Sequence, residues 1–200
     1  MYKLIGSPST RAGRVMWMLE EVGAEYEIVK VGPHDPQVYK VSPTGKLPAL
    51  TDGDINIIDS TAMLLHIGDR EGKLTYPAGS AERAKMMGII SFAVDAIEQP
   101  LWFFAKHNFI YPEEFRALDA VKPGLEREFS TAMGVLETML GDQTFVMGDE
   151  FSIADIVLGH LGGWAKGAGF PIPDGVVPEY MQRVRSRPGW KAVLAAREAK

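Results

Sequence analysis

The chain has 200 residues, 46% apolar and 24% charged, enough to bury a core as one large domain or two small ones, which excludes a disordered chain. A net charge of -5 without a long basic run argues against a nucleic-acid face, because phosphate binding needs clustered Lys and Arg. Cysteine is absent, which excludes disulfides, thiolate metal sites and a protein thiol nucleophile, so any sulfur chemistry must use a thiol brought by a ligand.

Tyr2 to Gly6 reads as a short strand that then turns polar, without a hydrophobic leader or a bilayer-length span, so a soluble cytoplasmic protein is expected. From Arg14, the apolar positions Val15, Met18, Leu19 and Val22 fall on one helix face. Tyr26 to Val31 is β-rich, which gives a βαβ unit with parallel strands. After a Pro/Gly-punctuated stretch, Pro48 to Thr51 and Ile55 to Ile58 flank Asp52-Gly53-Asp54, a hairpin signal. Ser60 opens a helical run through Met63, Leu64 and Ile67. Tyr76 to Ser80 reads as a linker. From Ala81 onward the period is helical: Met87, Ile90, Ser91 and Val94, then Phe129, Ala132, Met133 and Leu136. Ser152 and Asp155 have capping-box spacing, with Asp in place of the usual Glu or Gln. The helix they open would bury Ile153, Ile156, Val157, His160, Leu161 and Trp164, and Asp155→Ala would cost on the order of 1 kcal/mol. Gly169 to Pro178 reads as a loop, and Pro188 separates two C-terminal helices. The expected fold is an α/β domain over 1–77 followed by an all-α helical bundle over 81–200.

Three fragments carry candidate chemistry. Arg11 and Arg14 sit where a helix N-terminus is already positive, and Glu20 and Glu21 sit at its negative end, against the macrodipole. Together with the hydroxyls of Ser7, Ser9 and Thr10 this is either an anion cradle for a ligand such as a thiolate, or a helix that Ser9 merely caps while the arginines pair elsewhere. Leu47-Pro48 opens a strand with a residue that lacks a ladder donor, and is a candidate cis peptide that would present backbone groups to a peptide ligand; the plain alternative is a trans edge proline. Asp59-Ser60 stands at a helix start, where Ser60 caps the helix or, with the backbone N–H groups, holds a ligand carboxylate while Asp59 accepts from a ligand ammonium. The four histidines at 34, 66, 107 and 160 have no ligand spacing, so no metal is expected, and Glu20-Glu21 and Glu113-Glu114 read as solvated faces.

In order and spacing, Ser7-Pro8-Ser9-Thr10-Arg11 before Leu19-Glu20-Glu21, Gly45 to Leu50, Asp59-Ser60-Thr61-Ala62 and Phe151 to Asp155 resemble the cytosolic glutathione transferases of a serine-type or bacterial-like class. The resemblance spans essentially the whole chain. It implies a thioredoxin-like N-terminal domain, an all-α C-terminal domain, a homodimer, and glutathione as co-substrate. By that resemblance Leu47 and Pro48 would meet the cysteinyl part of glutathione, Asp59 and Ser60 its γ-glutamyl end, and Lys46 would orient the peptide. Ser9 is the first candidate to assist the thiol, with Thr10 and Arg11 close alternatives and Ser7 a weaker one; Tyr2 falls too early. Trp102, Phe103, His107 and Trp164 are candidate walls for a small hydrophobic electrophile, though aromatic residues at helical spacing more often pack as core. Disulfide reduction and peroxide reduction remain alternatives. Isomerisation ranks lower, because Ser9-Thr10-Arg11 departs from the Ser-Ser-Cys cluster of the maleylacetoacetate isomerases. A non-catalytic adaptor, like the stringent starvation protein or elongation factor 1 gamma, is the rival of a different class.

Overall fold

A computed structural model describes residues 1–199. The chain forms two compact units, one comprising Met1–Arg83 and the chain from Arg185 onward, the other Ala84–Val184. In the first unit the order is β1 (Tyr2–Ile5), α1 (Ala12–Val22), β2 (Tyr26–Val29), α2 (Pro36–Tyr39), β3 (Ala49–Asp52), β4 (Ile55–Ile58) and α3 (Ser60–Glu71). The four strands lie in the order β2-β1-β3-β4. β1 runs parallel to β2 through the α1 crossover and antiparallel to β3, which pairs antiparallel with β4. Gly53, at φ 58°, supplies the left-handed residue that the hairpin turn requires.

Period-two alternation divides the core. Leu4 and Leu50, paired across β1 and β3, are fully buried, as are Val15 and Leu19 of α1 and Met63, Leu64 and Ile67 of α3. Their neighbours Ile5 and Ala49 face the other way and cluster with Val38, Val29, Val31, Val41 and Leu47. That second cluster explains α2, a single turn in the stretch read from sequence as loop: it brings Val38 onto the sheet, and Asp35 caps it by accepting from the Gln37 N–H at 2.8 Å. β2 stops at Val29, short of the Val31 expected.

The second unit is helical: α4 (Ala81–Phe92), a π-helical stretch Ala93–Glu98, α5 (Gln99–Ala105), a second π stretch Lys106–Ile110, a 3-10 turn Glu113–Phe115, α6 (Leu118–Leu140), α7 (Ile153–Ala168) and α8 (Val176–Arg185). The π stretches were not legible in the period. The first lies directly before α5, where Pro100 has no N–H to continue the i to i−4 ladder. α7 is buried all round from Ile153 to Gly162, and Phe170 joins Phe104 and Phe129 at ring separations of 5.2 Å. The Ser152–Asp155 capping box forms. Asp155 also accepts from the Val146 N–H at 3.0 Å and the Tyr180 hydroxyl at 2.8 Å, so it ties three segments and not just one helix start. The loop expected to reach Pro178 ends earlier, because Pro178 lies in the first turn of α8, where proline is tolerated.

α9 (Pro188–Glu198) returns to the first unit and packs on α1, with Trp190 and Trp17 rings 4.9 Å apart. α1 is therefore buried on more than the single stripe its period suggested. The acidic end of α1 finds partners there: Glu21 pairs with Arg187 at 2.6 Å and accepts from the Trp17 indole, and Glu20 accepts from the Tyr26 hydroxyl. The pair read as solvated is thus engaged, and the conflict with the macrodipole is settled by tertiary contacts.

Candidate functional site

The strand register brings three separated fragments together. Ile5, at the end of β1, pairs with Ala49, at the start of β3, and Ala49 pairs with Ile58, at the end of β4. The loop leaving β1, the Leu47-Pro48 turn entering β3 and the Asp59-Ser60 step leaving β4 consequently share one end of the sheet. Gly6 (φ 143°) allows the approach: a Cβ there would stand 3.6 Å from the Leu47 Cβ and 3.0 Å from that of Ala12. Tyr2 belongs to the opposite end, where its hydroxyl donates to Glu71 at 2.7 Å. Burial and that bond raise the phenol's pKa, so it remains a neutral donor to Glu71.

In the first fragment the backbone turns at residues 8–11 before α1 begins at Ala12. Ser9 does not cap the helix. Thr10, one residue before the N-cap position, takes up an N–H of the helix start: its hydroxyl accepts from the Ala12 N–H at 3.2 Å and donates to the Ser7 carbonyl at 2.8 Å. The Ser7 Oγ accepts from the Ser9 N–H at 3.3 Å. The Ser9 side chain is exposed, and among the described residues its hydroxyl makes no hydrogen bond. Arg11, half-buried, occupies the N-cap position with helical dihedrals and no side-chain cap bond.

The second fragment has a cis Leu47-Pro48 peptide. Pro48 is buried, Leu47 half-buried, and Lys46 exposed with its N–H donating to the Thr44 hydroxyl at 3.2 Å. Gly45, at φ 66°, suits this turn, and a Cβ there would come within 2.6 Å of both His34 Nδ1 and Tyr39 Cζ, so those side chains would have to move. His34 itself bonds the Tyr39 hydroxyl at 2.8 Å and gives its backbone N–H to the Gly45 carbonyl.

The third fragment corrects the capping assignment: Asp59, not Ser60, caps α3, accepting from the Thr61 N–H at 2.8 Å and its hydroxyl at 2.6 Å. Asp59 has φ 71°, a region costly for a non-glycine residue by about 1–3 kcal/mol and found most often at ligand sites. Ser60, only 3% exposed, accepts from Arg14 Nη1 at 3.4 Å. Arg14 is itself 1% exposed, so the first turn of α1 lays a buried guanidinium against the N-terminus of α3. An arginine has only donors, so at this contact the Ser60 oxygen is the acceptor and its proton is left to be donated elsewhere. This link was the least legible in the sequence; the sole hint was an arginine placed against a helix dipole.

The four aromatic candidates all belong to the second unit. Trp102 and Trp164 meet edge to face at 6.5 Å, both half-buried, and the Lys106 ammonium lies 5.6 Å from the Trp102 ring centroid and 4.4 Å from that of Phe103. His107 is engaged by its neighbours in the chain: Nδ1 accepts from the N–H of Ala117, at the start of α6, at 3.2 Å, and the ring meets Tyr111 at 5.2 Å. Among the described residues no group of three or more His, Asp or Glu side chains could hold a metal ion.

Comparison with known proteins places this geometry in context. Residues 1–69 match the model of the glutathione S-transferase N-terminal domain, and residues 113–196 that of the C-terminal domain. A zeta-class glutathione S-transferase of Euphorbia esula is 31% identical over 156 residues, covering 72% of this chain and 67% of its own. A glutathione S-transferase of Drosophila melanogaster is 27% identical over 168 residues, covering 79% and 73%. A glutathione transferase of Phanerochaete chrysosporium, solved with oxidized glutathione, shares the fold at a TM-score of 0.85 and 22% identity, over 98% of this chain and 95% of its own.

Proposed function

Because this chain belongs to the glutathione S-transferase family, we propose that it is a glutathione transferase in which the Ser9 hydroxyl assists the glutathione thiol. The observation that carries the reading is the division of labour in the loop after β1. The Thr10 hydroxyl is taken by Ser7 and Ala12 and the Ser7 Oγ by the Ser9 N–H, whereas the Ser9 hydroxyl stands exposed at the sheet end where the motifs meet. A hydroxyl donating to sulfur, beside the N–H-rich start of α1, favours thiolate over thiol. The thiol proton goes to water, a sulfur lone pair forms the bond to the electrophilic carbon, and the leaving group departs with its bonding pair.

Leu47 and Pro48 are the proposed contact of the cysteinyl backbone, with Lys46 orienting the peptide. Asp59 and Ser60 are the proposed γ-glutamyl clamp, Asp59 accepting from the ammonium and Ser60, held as a donor by Arg14, giving its proton to the carboxylate. Trp102, Phe103 and Trp164 are the proposed apolar wall for a small electrophile, with His107 at its margin; the half-exposed edge-to-face tryptophans support it. A homodimer is proposed from the apolar surface left on edge strand β4, where Ile55 is 50% and Ile58 42% exposed. The cytoplasm is the proposed compartment, since the reaction consumes reduced glutathione, the cytosolic thiol buffer.

The test is calorimetric titration with reduced and then oxidised glutathione, followed by thiolate absorbance against pH for wild type and Ser9→Ala. A rise in the bound thiol's pKa on losing the hydroxyl supports the reading. An unaltered titration moves the role to Thr10 or Arg11, tighter binding of oxidised glutathione points to disulfide reduction, and no binding of either form favours an adaptor.

A further inference from the structure

Arg197 stands far from Ser9 in sequence, yet its Nε–H donates to the carbonyl of Pro8 at 2.9 Å. That carbonyl belongs to the same peptide unit as the Ser9 N–H, which donates to the Ser7 Oγ. The planar Pro8–Ser9 peptide is therefore fixed at both its ends, and with it the direction in which the Ser9 Cα–Cβ bond leaves the chain. Gly13 makes room for this. A Cβ at that position would stand 2.5 Å from the Pro8 oxygen and 3.3 Å from Arg197 Nη2, so only a residue without a side chain lets the carbonyl and the guanidinium meet against α1. The guanidinium is held in turn over Trp190, 4.8 Å from its ring centroid, while Arg185 lies 5.2 Å from the same ring and Trp17 packs against it. Two segments, one at each end of the chain, thus converge on a single carbonyl.

We propose that Arg197 is a positioning residue for thiol activation: through the Pro8 carbonyl, helix α9 sets the orientation of the Ser9 hydroxyl. This rests on the assignment of Ser9. Arg197 is an exposed residue whose guanidinium packs over Trp190, so each variant is first shown by circular dichroism to keep its fold. Arg197→Gln places an amide nitrogen where the Arg Nε stood and keeps the donor without the charge, Arg197→Lys keeps the charge without a donor at that point, and Arg197→Met removes both.

The experiment measures the pKa of the thiol of bound reduced glutathione, together with kcat and KM, for these three variants, for Ser9→Ala and for Ser9→Ala combined with Arg197→Met. Expected is a raised thiol pKa and roughly a fivefold loss of kcat in Arg197→Met, the size of one hydrogen bond, with KM for glutathione little changed. Gln should restore most of the loss and Lys little, and Arg197→Met should add nothing once Ser9 is alanine. A thiol pKa unmoved by Arg197→Met, restoration by Lys but not Gln, or full additivity with Ser9→Ala overturns the proposal. If Ser9→Ala itself leaves the thiol pKa unchanged, the Ser9 assignment fails first; if Ser9→Ala raises it and Arg197→Met does not, only the positioning role falls.

Discussion

Four neighbouring residues are candidates to assist the thiol, and the three hydroxyls among them differ in the hydrogen bonds they make. The composition of the loop was legible, a run of hydroxyls and an arginine before a helix, but which hydroxyl the turn consumes depends on backbone dihedrals that no local pattern states. Thr10 is consumed and Ser9 is not. The same holds at α3, where adjacent Asp59 and Ser60 both had the chemistry of a cap; Asp59 took it, which leaves Ser60 to Arg14. Two expectations belong here. Asp59→Ala with Ser60→Ala should abolish calorimetric binding of glutathione, because the clamp's acceptor and donor are both lost. Arg14→Met should weaken binding by about tenfold or more with the protein still folded by circular dichroism, since a hydrogen bond to a charged group is worth roughly 1.5–3 kcal/mol; unchanged affinity would separate Arg14 from the clamp.

Among the elements, the start of α7 was the best read and the most undervalued. The spacing of Ser152 and Asp155 identified the capping box, but the contacts from Val146 and Tyr180 come from segments that the spacing does not include. Asp155→Ala leaves a buried N–H and a buried phenol without their acceptor, and each unmet group costs about 1–3 kcal/mol. Denaturant melts should therefore show a loss of roughly 3 kcal/mol or more, well above the cost of a lost cap; a loss near 1 kcal/mol would mean that water takes the place of the carboxylate. At the far end of the sheet, β3 and α3 are joined through Asp52, which accepts from His66 Nε2 at 2.8 Å and from Arg70. Burial pushes the Asp52 carboxyl up, but the bonds from His66 and Arg70 outweigh it and hold the pKa below the usual range. A depressed folded pKa contributes stability above the unfolded value of about 4 and loses it as the pH falls through the folded value. Melting temperature should accordingly drop more steeply below about pH 4 in wild type than in Asp52→Asn, and parallel profiles would show that Asp52 carries none of the acid sensitivity.

For the whole molecule, the order of elements was readable from end to end, and so was the change from mixed sheet to helix near residue 80. The grouping was not: α9 follows the helical segment in the chain but completes the first unit, covering α1 through Trp190 and pairing Arg187 with Glu21. Truncation before Pro188 should consequently lower the protection of α1 amides in hydrogen exchange, and unaltered protection there would show that α9 is dispensable. The dimer is a question at the same scale. Ile58→Lys should shift the mass measured by light scattering from dimer to monomer, while a monomeric wild type would remove that proposal. By itself the sequence determined the local matters: helical and strand periods, the hairpin turn, the capping box and the ordered motifs that carry family membership, because these depend on neighbours a few residues apart. Only the tertiary structure decided which hydroxyls the turn after β1 consumes, which residue caps α3, that Arg14 reaches Ser60 and that Arg197 reaches Pro8. The first two are settled by the backbone dihedrals the folded loops adopt and the last two by strand register and helix packing between distant segments, so the choice among chemically equal candidates is made by geometry.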